Sequence, residues 1–160
     1  MYKLAVTSRT NATTLSIDDV KLHLKVEYNE DDVLINKLIF SAFDYFENAT
    51  GIVLYPKKYR LRNTLADAYY EIPLTPLGTV TALTIDTEDL TADIETMVID
   101  GQVQNQYEAD ITLEFSAGSD TFDNQYFNII SELVAYWYEF RNSEKLPDYL
   151  QQKINGYIKA

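Results

Sequence analysis

Tyr126-Phe127-Asn128-Ile129-Ile130-Ser131-Glu132-Leu133-Val134-Ala135-Tyr136-Trp137-Tyr138-Glu139-Phe140 carries large apolar or aromatic side chains at ten of its fifteen positions. The spacing predicts a helix over about Asp123 to Asn142. On a helical wheel the apolar set covers well over half of the circumference, and only Asn128, Ser131, Glu132, Ala135 and Glu139 mark another side. A surface helix needs an apolar stripe of only about 100° or a little more. Two readings fit the excess. The helix is a central core element packed on several sides, or one flank packs on its own domain and another on a partner chain. Trp137 lies at the centre of the arc and reads as core. Tyr136 and Tyr138, on opposite flanks of it, are the candidate partner contacts.

The segments upstream supply neighbours for this helix. Ser16 reads as an N-cap, with Asp18 and Asp19 in the first turn of a short helix ending near Val26 to Tyr28. Its apolar face is Ile17, Val20 and Leu24, with Leu22 off that line. A second helix is expected over about Asp31 to Thr50, with Asn29, Glu30, Asp31 and Asp32 supplying acceptors and negative charge at its start. Leu34, Leu38, Ala42, Tyr45 and Ala49 repeat at helical spacing, and Ile35, Ile39, Phe43 and Phe46 widen the stripe. Gly51 ends it. Val33 and Phe40 lie on the polar flank beside Asn36, Asp44 and Glu47, which makes them candidate interface residues. Pro147 opens a final short helix over Asp148 to Lys159, with Leu150, Ile154, Tyr157 and Ile158 on its apolar side.

Between the helices the pattern turns to β. Strands are expected over Ile52 to Leu61, Tyr69 to Leu74, Val80 to Ile85, Thr96 to Ile99 and Asp110 to Phe115, with Gln102 to Glu108 pairing back across an Asp100-Gly101 hairpin turn. A short alternating piece, Leu4 to Val6, lies near the start. Helices about 16–50, a β region about 52–116 and helices about 123–159 make an α+β chain. Its 160 residues suit one domain, 1–160.

Net charge is −12, from 25 acidic and 13 basic residues. That balance disfavours sequence-independent grip on nucleic acid, which needs Lys and Arg at phosphates, and adsorption to anionic membranes. There are 13 Tyr, 7 Phe and no Cys. Disulfides, thiolate chemistry and Cys-based zinc sites are excluded. His23 is the single histidine, so a multi-His metal site within one chain is excluded too. It reads as structural or surface. No secretory leader or membrane-spanning stretch is visible, and cytoplasmic synthesis is expected. No cofactor is expected, since the five glycines are scattered and form no phosphate loop.

The acidic residues Glu30-Asp31-Asp32, Asp86 to Glu95, Asp120 and Asp123 fall mainly at helix starts and in loops, where capping or solvation is the default. Paired carboxylates of this kind also serve hydrolases. Asp86, Glu88, Asp89 and Asp93 approach a calcium-loop spacing but lack its central glycine. Lys57, Lys58, Arg60 and Arg62 form the one basic cluster, read as the exposed face of a strand, as a contact for acidic surface on a neighbouring subunit, or as a contact to DNA.

Five segments, in order, resemble the phage head–tail connector family, the gp6-like adaptor or head-completion proteins. They are Ser16-Ile17-Asp18-Asp19-Val20-Lys21-Leu22-His23-Leu24-Lys25-Val26; Glu30 to Ile35 leading to Glu47-Asn48-Ala49-Thr50-Gly51; Leu74-Thr75-Pro76-Leu77; Phe115-Ser116-Ala117-Gly118; and Leu133 to Arg141. Coverage is about residues 16–145. The family's Arg after Gly51 and its Trp in the following strand are absent. The resemblance implies antiparallel helices, three to four here, with an inserted antiparallel β region between the second and third. It implies a non-enzymatic virion subunit at the head–tail junction. About twelve copies would form a ring beneath the portal protein and above the next head-completion or tail protein, and DNA would pass through without sequence-specific binding. Rival readings are an acidic DNA-mimic inhibitor and a small carboxylate-dependent hydrolase.

Overall fold

A computed structural model of the chain describes residues 2–9, 15–64, 68–105, 109–141 and 145–158. The fold is α+β with antiparallel sheets. In chain order the elements are β1 (Tyr2–Arg9), α1 (Ile17–Leu24), α2 (Asp32–Thr50), β2 (Lys57–Asn63), β3 (Tyr69–Glu71), β4 (Leu77–Ile85), β5 (Glu88–Asp89), α3 (Ile94–Met97), β6 (Val98–Ile99), β7 (Gln102–Gln104), β8 (Ile111–Ala117), α4 (Phe127–Glu139) and α5 (Asp148–Asn155). Two compact units result. One is helical, Ala12–Leu54 with Asp120–Ala160. The other is β-rich, Met1–Asn11 with Tyr55–Ser119.

In the helical unit, Ser16 caps α1 by accepting the Asp18 N–H at 3.2 Å. Lys25, in the left-handed region, closes it. Val20 is fully buried, whereas Leu22, off the apolar line, is 81% exposed. The start of α2 departs from expectation, because Asp31 makes no side-chain cap. Its neighbours bind α1 instead: the Lys21 ammonium donates to Asn29 Oδ1 at 2.6 Å and Asp32 Oδ1 at 2.7 Å. The buried line of α2 is Ile35, Ile39, Ala42, Phe43 and Phe46, while Tyr45 and Ala49 are exposed. Gly51 takes a φ of 74° and donates its N–H to the Glu47 carbonyl. The buried Glu47 carboxylate accepts the Leu54 N–H at 2.8 Å, so Ile52 to Leu54 finish the helical unit rather than open a strand.

α4 starts at Phe127, after a 3-10 turn whose Gln125 N–H donates to Asp123 Oδ1 at 3.0 Å. Its Ile129, Ile130, Leu133 and Val134 are buried, and it packs against α1, α2 and α5. α5 buries Leu150 and Ile154 and stops at Asn155.

The β unit holds a five-stranded sheet of order β1-β2-β8-β4-β5 and a three-stranded one of order β3-β7-β6. Period-two burial is clean in β2 and β8. Tyr59 and Leu61 of β2 share the buried face with Leu113 and Phe115 of β8, their register partners. The Tyr59 and Phe115 rings stack at 5.6 Å. Several strands are shorter than the pattern suggests. Ile94–Met97 is a helical turn, so only Val98–Ile99 of the expected fourth strand pairs. β3 stops at Glu71. β7 is described to Gln104, and residues 106–108 of the expected return strand lie outside the described residues. The N-terminal strand is longer than Leu4 to Val6 and pairs along β2. Asp100 and Gly101 both take positive φ, 50° and 80°, as a two-residue hairpin turn requires.

Gly118 ends β8 with a φ of 103°. A Cβ there would collide with the Tyr55 carbonyl oxygen. Gly118→Ala should therefore lower unfolding free energy by about 1–3 kcal/mol, read as a fall in the urea midpoint; an unchanged midpoint would contradict this account.

Candidate subunit interface

Two surfaces collect the residues singled out by sequence. The first is on the helical unit. Val33 is 68% exposed and Phe40 39%. They sit two turns apart on α2, away from its buried Ile35–Phe46 line. Tyr45, also exposed, meets Trp137 edge-on at 5.7 Å. Trp137 is only half-buried, at the rim of the core rather than its centre.

Tyr136 and Tyr138 are half-buried and both are engaged within the chain. The Tyr136 hydroxyl donates to the Lys145 carbonyl at 3.0 Å, and its ring lies 5.1 Å from Phe140. The Tyr138 hydroxyl donates to Asp31 Oδ2 and lies 3.1 Å from the Tyr28 hydroxyl. The Arg141 guanidinium stands 5.5 Å from the Tyr138 ring and 3.9 Å from Asp31 Oδ2. The hydrogen bond to Asp31, followed by that to Tyr28, pushes the Tyr138 phenol above its ordinary value. Sequence reasoning missed this cluster. Tyr138 and Asp31 are far apart in the chain, and nothing local to either marks the pairing. The consequence is that Tyr138 ties the end of α4 to the start of α2.

The second surface is β2. Lys58, Arg60 and Arg62 alternate onto the exposed face, as expected. Lys57 does not share it. Period two puts Lys57 on the opposite, buried face, with its ammonium 4.2 Å from the Tyr55 ring centroid. Arg60 pairs across the strand boundary with Glu114, its register partner, at 2.5 Å.

The remaining chemical candidates take structural roles. His23 is exposed and stands edge-on to Phe127 at 6.3 Å. Asp89 accepts the Thr91 N–H at 3.0 Å, and these hydrogen bonds with Thr91 hold its carboxyl below the usual range. An open pocket of about 430 Å³ lies among Ile85, Asp86, Glu88, Leu90, Met97 and Ala109. Among the described residues no three His, Cys, Asp or Glu side chains gather as a metal site, and no helix is long and apolar enough to cross a membrane.

Comparison with known proteins adds the following. The model of the phage gp6-like head-tail connector protein family matches residues 14–108. No curated protein matches the sequence. Among solved structures, a chain from the neck of an empty GTA particle, computed with C6 symmetry, is 17% identical with a TM-score of 0.76, covering 99% of this chain and 96% of that one. A chain from the neck of a native GTA particle, computed with C12 symmetry, is 19% identical with a TM-score of 0.70, covering 99% and 96%. A chain from the virion of a native gene transfer agent is 15% identical with a TM-score of 0.70, covering 98% and 95%. At these identities the likeness is one of fold.

The exposed α2 flank and the Tyr138 cluster predict different responses. Val33→Ser and Phe40→Ser should change unfolding free energy by less than about 1 kcal/mol, because neither position is core. Tyr138→Phe should alter the alkaline limb. A phenol whose pKa is raised on folding stabilises the fold fully below the unfolded value of about 10 and loses that contribution as pH rises through the folded value. Thermal melts from neutral to strongly alkaline pH should therefore fall less steeply for Tyr138→Phe than for the parent chain. Parallel curves would exclude the Asp31 bond.

Proposed function

This chain belongs to the phage gp6-like head–tail connector family, and from that premise we propose that its copies close into a ring at the head–tail junction. The ring would dock on the portal protein above and meet the next head-completion or tail protein below. The family is a structural one and its members are connector subunits rather than enzymes. The observation that carries the reading is the family match over residues 14–108. Likeness in fold, over nearly the full chain, to neck subunits computed with C6 and C12 symmetry supports a ring, and supports about twelve copies in it.

The whole chain, 1–160, acts in this reading as one connector subunit. Its helices supply an antiparallel core, and the β region between α2 and α4, joined by β1, supplies the second unit. The exposed Val33 and Phe40 flank, with the outer edges of Tyr136 and Tyr138, supplies apolar and amphipathic contact area of the kind subunit interfaces use. Lys58, Arg60 and Arg62 supply a basic patch against acidic neighbours. The net charge of −12 per copy, repeated about a dozen times, places on the order of a hundred negative charges or more around the channel. Such a field lets DNA slide rather than bind. Neither the hydrolase nor the DNA-mimic reading gains any support from the family match.

Electron microscopy of portal-bearing capsids, with and without added protein, tests the proposal. A ring of new density beneath the portal is the expected result. A tight soluble complex with a nucleic-acid-handling protein, and no density at the vertex, would overturn it. Phe40→Ser should reduce that density while leaving the monomer folded.

A further inference from the structure

β1 is an edge strand with all eight residues exposed. Its register on β2 sets Tyr2, Leu4 and Val6 opposite Asn63, Leu61 and Tyr59, on the face where the β2 side chains are buried. Yet these three are 51%, 37% and 41% exposed. An apolar row thus continues the buried face one strand past its cover, beside an outer peptide edge that no strand pairs among the described residues. Exposed apolar edges of this kind recruit another strand unless they are blocked. β1 carries Lys3 and Arg9, and its neighbour β2 turns Lys58, Arg60 and Arg62 outward. Neither strand holds an acidic residue.

The opposite edge of the same sheet has the opposite charge. Residues 86–100 contain Asp86, Glu88, Asp89, Asp93, Glu95 and Asp100 and no base, and all six are exposed. Between this segment and β4 runs an open groove of about 590 Å³. Leu77, Val80, Ile94 and Val98 give it apolar walls, with Glu95 and Asp100 also lining it.

We infer that the basic β1 edge of one copy docks, strand against groove, on the acidic β4–β5 edge of the next. The inference rests on the ring reading above and names the contact that closes it. Because the two edges differ, the contact is head-to-tail, the kind that generates rings when the rotation closes. The apolar row of Tyr2, Leu4 and Val6 supplies burial. The rims supply register and reject a reversed pairing, since acidic against acidic or basic against basic repels.

Charge exchange tests it on portal-bearing capsids viewed by electron microscopy. One variant carries Lys3→Glu, Lys58→Glu and Arg62→Glu, leaving the Arg60–Glu114 pair intact. The other carries Glu88→Lys, Asp93→Lys and Glu95→Lys. Each alone should lower ring occupancy at least about tenfold, equivalent to about 1.4 kcal/mol for the ring as a whole. An equimolar mixture should restore it, because both contacts of an alternating ring are then complementary. Rings from either variant alone at the parental level, or a mixture no better than its components, would overturn the interface. Absence of rings from the parent chain would overturn the ring reading itself. Circular dichroism checks the fold. If a reversal disturbs it, the neutral pair of variants, Lys3→Gln with Arg62→Gln and Asp93→Asn with Glu95→Gln, takes its place. The neutral variants should then lose the salt sensitivity of assembly that the parent shows, and retention of that sensitivity would overturn the interface.

Discussion

α4 has more apolar surface than any one neighbour can cover, and the helical unit is arranged to meet that demand. Each fully buried Ile, Leu or Val contributes about 1.5–3 kcal/mol. Ile130, Leu133 and Val134 are fully buried, so leaving any side of α4 uncovered would cost a large part of a domain's net stability. α2 covers one side with its Ile35–Phe46 line, and α1 and α5 cover others. The dependence is mutual. α1 and α5 have eight residues each, too few to persist as isolated helices in water. They exist because α4 and α2 give their apolar faces somewhere to go.

β8 has the same role in the β unit. It is paired along its length by β2 and, with two bulges, by β4. Its alternate residues are buried. Polar bonds trim this sheet rather than hold it. Arg60–Glu114 is exposed and worth little in stability; burial of Tyr59, Leu61, Leu113 and Phe115 sets which face is outward. The first bulge in β4, between Leu77 and Val80, falls where the Ser116 hydroxyl receives the Thr79 N–H at 2.8 Å, so ladder bonds lost there are partly replaced.

What was legible in the sequence follows the range over which each signal acts. The Ser16 cap, the Gly51 stop, the Asp100-Gly101 turn and the alternation in β8 are local, and each appears where the residues put it. The length of β1 was not legible, because Tyr2 and Arg9 owe their strand conformation to a partner that begins at Lys57. Ile52 to Leu54 read as strand because apolar, β-branched runs look alike whether they enter a sheet or close a helical core. The exposure of Val33 and Phe40 was legible, because both stand on the polar flank of α2. The network that engages Tyr138 was not, since hydrogen bonds between distant segments leave no periodicity behind. Lys57 departs for a simpler reason: four bases form one cluster along the sequence, although strand geometry separates the first from the next three.

The pairing of Tyr2 with Asn63 sets an order of events during synthesis. β1 leaves the ribosome before β2, and it must wait for all of α1 and α2 before β2 is made. Closing so long a loop costs little in equilibrium stability, since the entropy grows only with the logarithm of length, but it delays the contact. Throughout that interval Tyr2, Leu4 and Val6 are without any partner. A β2 from another nascent or newly released copy offers them the same register. Concentration and the speed of translation then decide whether β1 completes its own sheet or is exchanged between chains.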